Sequence, residues 1–169
     1  MDCLVIIDMQ KDFHPNEDTV NYIKEFITQN RNKYNLVMIM DNHIRTTYID
    51  SQESKVYKPH CLYGTLGWEV VDELRPLFYD NKVMHIYKNT FGSIELMRYI
   101  KERSAETTSV ILMGVCTDIC ILSNALLLRA AMPNMRIIVD AAGCNGTSPE
   151  MHKWALALMK ANAIEVINE

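Results

Sequence analysis

Ser109-Val110-Ile111-Leu112-Met113-Gly114-Val115-Cys116-Thr117-Asp118-Ile119-Cys120 passes from an unbroken apolar run into a polar, thiol-bearing segment. A short continuous run rich in Val, Ile and Leu reads as a strand buried on both faces. Just downstream, Leu122, Ala125 and Leu126 keep helical spacing, so the strand turns into a helix and Cys120 stands where the turn is made. Runs of the same kind recur at Cys3 to Ile7, Leu36 to Met40, Val83 to Tyr87, Arg136 to Val139 and Ile164 to Ile167. Between them, Val20, Ile23, Phe26 and Ile27, then Ile94, Met97 and Ile100, then Trp154, Ala155, Leu158 and Met159, can each cover a sheet with one helical face. Ser148-Pro149 reads as an N-cap followed by proline at the first helical position, so the last helix starts there.

Strand and helix alternating in this way predict an α/β fold: a doubly wound, six-stranded, mainly parallel sheet with helices on both faces, because parallel neighbours need crossover helices. The 169 residues, 49% apolar and 22% charged, suit a single domain over 1–169 with a sizeable core. There is no internal repeat, low-complexity tract or linker. Residues 41–66 form the longest stretch without clear periodicity, and a loop of that length in a compact domain is usually functional.

Composition narrows the function. A net charge of -4 and no block of Lys or Arg argue against a nucleic-acid or anionic-membrane partner and for a small-molecule one. The apolar run at Leu4 to Ile7 is closed by Asp8, too short for a signal sequence or a membrane span. Five cysteines at irregular positions do not form a secreted disulfide framework, so a reducing cytoplasm is expected. The eleven methionines sit mostly in apolar stretches, as core filler.

In open α/β sheets, ligands bind at the carboxyl ends of the strands. Read in order, those ends carry Asp8, then Asp41-Asn42-His43, then Lys88, then the segment from Gly114 to Cys120. Singly, each has an ordinary explanation: a turn cap, a solvated rim lysine, an inert buried thiol. Together they place an acid, a base and a thiol on one edge. A thiol in the first turn of a helix is favoured as thiolate by the helix dipole, and the free N–H groups there can hold an oxyanion. Asp8 beside it opposes ionisation, and Lys88 compensates. Asp8 then serves as proton acceptor and donor, Cys120 as nucleophile and Lys88 as electrostatic support.

The segments Asp8-Met9-Gln10-Lys11-Asp12-Phe13, Asp41-Asn42-His43, Pro59-His60-Cys61-Leu62-Tyr63-Gly64-Thr65-Leu66-Gly67 and Gly114 to Cys120 resemble the isochorismatase-like cysteine hydrolases, and within them the nicotinamidases. The resemblance runs from Asp8 to Val139-Asp140-Ala141. It places the family's catalytic Asp, Lys and Cys on Asp8, Lys88 and Cys120. It also implies a cis peptide between Val115 and Cys116 that aims the backbone N–H groups of Cys116 and Cys120 at an oxyanion, and substrate-facing aromatics at Phe13 and Tyr57. The alternative reading of Cys116 and Cys120, a redox pair or half a zinc site, lacks a second cysteine pair with ligand spacing.

Asp41 and His43, two apart on an extended backbone, point the same way, and His60 can join them. The resemblance implies one divalent metal ion on these residues and one further ligand, with no organic cofactor. Many relatives place that ligand as a His shortly after the Asp-x-His, where this chain reads Arg45-Thr46-Thr47-Tyr48-Ile49-Asp50. Glu53 is the expected substitute and Asp50 the fallback. A mixed carboxylate and imidazole set suits zinc, iron or manganese and does not choose among them; zinc is the expected ion, with iron or manganese as alternatives. His14, His85 and His152 are not expected to be ligands. The implied activity is hydrolysis of nicotinamide in pyridine nucleotide salvage, by a chain that can form homo-oligomers. The rivals are another amidohydrolase of the scaffold, acting on a ureido or carbamoyl compound or on isochorismate, and a catalytically silent binding protein.

Overall fold

The computed structural model describes residues 1–79 and 81–169. Strands β1 (Asp2–Ile7), β2 (Tyr34–Asp41), β3 (Met84–Lys88), β4 (Ser109–Val115), β5 (Arg136–Asn145) and β6 (Glu165–Ile167) form one sheet in the order β3-β2-β1-β4-β5-β6. Every neighbouring pair in it is parallel. The helices are α1 (Glu17–Asn30), α2 (Arg45–Tyr48), α3 (Arg75–Phe78), α4 (Ile94–Glu102), α5 (Leu122–Ala131) and α6 (Pro149–Ala161).

The alternation of β1 sorts the core into two layers. Leu4 and Ile6 pack with Val20, Ile23 and Ile27 of α1 and with Phe78. Cys3, Val5 and Ile7 face the other way, onto Leu96 and Ile100 of α4, Leu128 of α5, and Leu156 and Met159 of α6. The helix starts are explained locally. Asn16 accepts from Thr19 N (2.8 Å) ahead of the acidic pair Glu17 and Asp18. Ser148 accepts from Met151 N (3.1 Å) with Pro149 at the first position, as its sequence implies.

Among the described residues the β2–β3 crossover has no long helix, in line with the lack of periodicity over 41–66; it is built from α2, α3 and short 3-10 turns. Two expectations are corrected. β3 and β6 are not buried on both faces, because they are the sheet's edges, and Met84 and Tyr87 of β3 are exposed. β5 runs on past Val139 to Asn145 through an irregular stretch: Leu112 pairs with Val139 but Gly114 pairs with Cys144, a step of two residues on β4 against five on β5.

The strand order reverses between β1 and β4, the switch point at which such sheets open a crevice. Gly114 makes the close approach there. Its φ is +126°, and a Cβ would lie 2.0 Å from the Ile7 carbonyl oxygen, so only glycine lets the end of β4 press against the residue before Asp8.

Candidate active site

Asp8 is the first residue beyond β1. Its φ of +55° is in the left-handed region, a conformation that a non-glycine residue keeps chiefly where its surroundings hold it. Its N–H donates to the Ile39 carbonyl (2.9 Å), and its carboxylate is fully buried. Lys88 ends β3 in register with Asp41, the end of β2. Its Nζ lies 2.7 Å from Asp8 Oδ2, contacts Asp41 Oδ1, and donates toward Cys120 Sγ at 3.7 Å. Cys120 sits in a π-helical turn, Thr117–Ile121, that leads into α5, and the Val115–Cys116 peptide is cis as the resemblance implies. Single π turns recur at functional sites.

Burial pushes the Asp8 carboxyl up to about 7, with the Asp41 charge adding and Lys88 opposing. Burial also pushes the Cys120 thiol well above its ordinary value, reinforced by Asp8 and opposed by Lys88. Burial disfavours the ammonium of Lys88, but Asp8, Cys120 and Asp41 outweigh it and hold Lys88 protonated. Desolvation opposes the thiolate that the helix turn and Lys88 favour, and Asp8 lies beside the thiol as the carboxylate able to take its proton.

Asp41, His43, Glu53 and His60 form a second group whose ligand-type atoms all lie within 4.8 Å of one another. Glu53 is buried, whereas Asp50 is exposed and outside the group. His43 Nε2 is 3.8 Å from Asp41 Oδ2 and 3.6 Å from Glu53 Oε1; His60 Nε2 is 3.6 and 3.2 Å from the same two oxygens. Most of these gaps are too long for hydrogen bonds. They match the edges, about 3.4 Å, of a tetrahedron of ligands about 2.1 Å from a central ion. His43 Nε2 and Glu53 Oε2 are buried without a hydrogen-bond partner, so the residues present fit a divalent cation. Burial opposes protonation of His60, but Asp41 and Glu53 outweigh it and raise its pKa to about 10, a field that attracts any cation.

Side chains outside the ligand set hold it in place. Tyr48 is buried with its ring edge-on to His43 (4.7 Å between centroids) and His60 (5.5 Å), and its hydroxyl donates to the Tyr57 carbonyl at 3.1 Å. His60 Nδ1 lies 2.8 Å from the Lys58 carbonyl, which fixes the proton there and leaves Nε2 for the cluster. Asp12 accepts from Cys61 N (2.8 Å). Gln10 clamps Asp41 twice, its Oε1 accepting from Asp41 N (2.8 Å) and its Nε2 donating to the Asp41 carbonyl (2.9 Å). Neither Tyr48 nor Gln10 announces this role in the sequence, beyond Gln10 following Asp8 by two. His85 is engaged with the Phe78 carbonyl (2.9 Å) and His152 with Thr117 (2.8 Å), apart from the cluster.

One cavity of ≈ 220 Å³ joins the two groups, with Asp41, Glu53 and His60 on one side and Cys116 and Cys120 on the other. Phe13 and Tyr57 line it as expected, and so does Phe91, which the sequence did not single out. Phe13 stands edge-on to His60 (5.4 Å), and Tyr57 edge-on to Phe91 (6.0 Å). A broader depression of ≈ 640 Å³ beside Lys11, His14 and Glu17 has no cysteine in its lining. Among the described residues no helix is long and apolar enough to cross a membrane.

A buried thiol, acid and lysine at the carboxyl edge of a parallel sheet, opening with a cation cluster onto one small cavity, define the site of a small-molecule hydrolase. The chain belongs to the isochorismatase family: the isochorismatase domain model matches residues 2–169. It is similar to an uncharacterized isochorismatase family protein, PncA, of Bacillus subtilis (strain 168), 31% identical over 148 residues that cover 83% of this chain and 76% of that protein. It is also similar to the crystal structure of the nicotinamidase PncA from Bacillus subtilis, with TM-score 0.81, 25% identity, and coverage of 99% of this chain and 100% of that one. The N-carbamoylsarcosine amidase of Thermoplasma acidophilum shares the fold (TM-score 0.76, 24% identity, 98% and 95% covered), so the fold alone does not choose a substrate.

Proposed function

We propose that the chain is a nicotinamidase, hydrolysing nicotinamide to nicotinate and ammonia through a thioester on Cys120. The observation that carries this reading is that Asp41, Glu53 and His60 line the same ≈ 220 Å³ cavity as Cys120. That volume falls below the roughly 300–1,000 Å³ of pockets for drug-sized ligands and suits a single ring bearing one carboxamide. The similarity to a nicotinamidase of Bacillus subtilis supports the same substrate.

Asp41, His43, Glu53 and His60 would hold a divalent ion, zinc first among those the donor set suits. When bound, it supplies a Lewis-acid position for the ring nitrogen, so the carboxamide is oriented toward the thiol. Phe13 and Tyr57, with Phe91, close on the faces of the ring. Asp8, with its raised pKa, takes the Cys120 proton as sulfur attacks the carboxamide carbon. Lys88 keeps a positive charge beside both groups, and the N–H groups of Cys116 and Cys120 donate to the oxyanion. Asp8 returns the proton to the leaving ammonia, then takes one from the water that cleaves the thioester.

A substrate panel tests the reading. Nicotinamide should be hydrolysed to nicotinate, and benzamide, which lacks the ring nitrogen, should lose about 10²-fold or more in kcat/KM, the scale of a binding group left unpaired. Equal turnover of the two, or turnover of N-carbamoylglycine with none of nicotinamide, would move the assignment to another amide.

A further inference from the structure

Asn124 stands one helical turn after Cys120, on the first turn of α5, and is fully buried. Its side-chain amide is engaged three times, always with main chain. Nδ2 donates to the carbonyl of Cys120 (2.8 Å) and to the carbonyl of Phe91 (3.1 Å), and Oδ1 accepts from Ser93 N (2.9 Å). The first bond is internal to the helical segment that carries the nucleophile. The other two reach the loop that leaves β3 immediately after Lys88, forms the Phe91 wall of the cavity, and ends at Ser93, the cap of α4. Two donors and one acceptor are satisfied at once, which no side chain with a single polar atom can reproduce.

We propose that Asn124 is a positioning residue, setting the spacing between the Cys120 nucleophile and the Phe91 wall by tying both main chains to one amide. Its hydrogen bonds all go to main chain and it does not line the cavity, so it acts through the two segments it joins. Because the attacking atom and the wall that seats the ring are fixed by the same group, its loss should disturb both binding and the chemical step. Small misplacements of reacting groups are costly, of the order of 10²-fold for about 1 Å. The kinetic part of this inference rests on the proposed nicotinamidase reaction; the geometric part rests on the thiol alone.

The informative variant is Asn124→Thr. A threonine hydroxyl in a helix can bond the carbonyl four residues back, so the bond to Cys120 is retained while both bonds to the loop are lost. In metal-loaded full-length protein, we expect Asn124→Thr to lower kcat/KM for nicotinamide at least tenfold, through a lower kcat and a higher KM together. Phe91→Leu, which keeps the main-chain bonds and alters only the wall, should raise KM alone. Asn162→Thr, at an exposed amide just past the end of α6 that likewise bonds a carbonyl four residues back (Leu158 O, 2.8 Å) and does not line the cavity, should leave both unchanged. The second readout needs no substrate: the rate at which iodoacetamide labels Cys120, followed by mass spectrometry, should change at least threefold in Asn124→Thr. Asn124→Ser, smaller and with the same hydroxyl, serves if the threonine variant does not fold. Wild-type kinetics and a wild-type labelling rate in a folded variant would overturn the proposal, as would a loss matched by Asn162→Thr. If wild type hydrolyses no nicotinamide yet labelling still changes in Asn124→Thr, the substrate assignment falls and the positioning role stands.

Discussion

The β2–β3 crossover and the β4–β6 half of the molecule solve the same problem in opposite ways. From β4 to β6 the chain uses regular helices, and α5 and α6 bury Leu128, Leu156 and Met159 against the sheet. From β2 to β3 no helix among the described residues is longer than four residues, and besides the burial of Leu74 and Phe78, order comes from side chains bonded to main chain: Gln10 on Asp41, Asp12 on Cys61, Tyr48 on Tyr57. The regular half presents the thiol; the irregular one presents the cation cluster. Three of the cluster residues, His43, Glu53 and His60, come from this irregular segment and Asp41 from the end of β2, and polar bonds to main chain there add to the burial of Val70, Leu74 and Phe78.

The contrast can be broken by variants in either half. Met159→Ala removes a fully buried side chain from the regular half and should cost about 2–5 kcal/mol of stability, read from denaturant unfolding. Zinc affinity per folded molecule should stay as in wild type; a parallel loss of affinity would show that the halves are not separable. Glu53→Gln, in the crossover, should do the reverse. It should weaken zinc binding by more than the roughly 10–100-fold typical of losing an outer-shell partner, as measured by titration calorimetry, with little change in unfolding of the metal-free protein. Tyr48→Phe keeps both ring contacts and loses only the hydroxyl, so its effect on zinc affinity should be smaller, about tenfold. An affinity equal to that of wild type would mean that the ring contacts alone order the loop.

A gentler test concerns protons. In the proposed reaction Asp8 is ionised to accept the Cys120 proton, and its pKa is raised to about 7 by burial, so activity should rise with pH through that value and be lost below it. In a profile of kcat/KM against pH, an acid limb near 7 is expected, with about half the plateau rate at the midpoint. A limb near 4 would show that Asp8 keeps an ordinary carboxylate pKa.

The same contrast decides what was legible in the sequence. The strands, the cap at Ser148-Pro149 and the gathering of Asp8, Lys88 and Cys120 at one edge could be read because apolar runs and strand ends carry their own signal. Glu53 was reached only through the family resemblance, and the spatial cluster supports it over Asp50. The run of β5 beyond Val139 was missed because Asp140 to Gly143 keep no strand pattern. Gln10, Tyr48 and Asn124 were missed because a buried polar side chain bonded to distant main chain leaves no periodic trace. The degree of burial of Cys120, a property of packing, was not legible either.

The measurement that bears most directly on the account is ammonia release from nicotinamide by protein purified without chelator, beside a Cys120→Ala variant and a chelated sample. We expect turnover in the first, a loss of about 10⁴-fold or more in the variant, and loss on chelation that zinc restores. No ammonia from wild-type protein with confirmed metal occupancy, or undiminished release from Cys120→Ala, would contradict it.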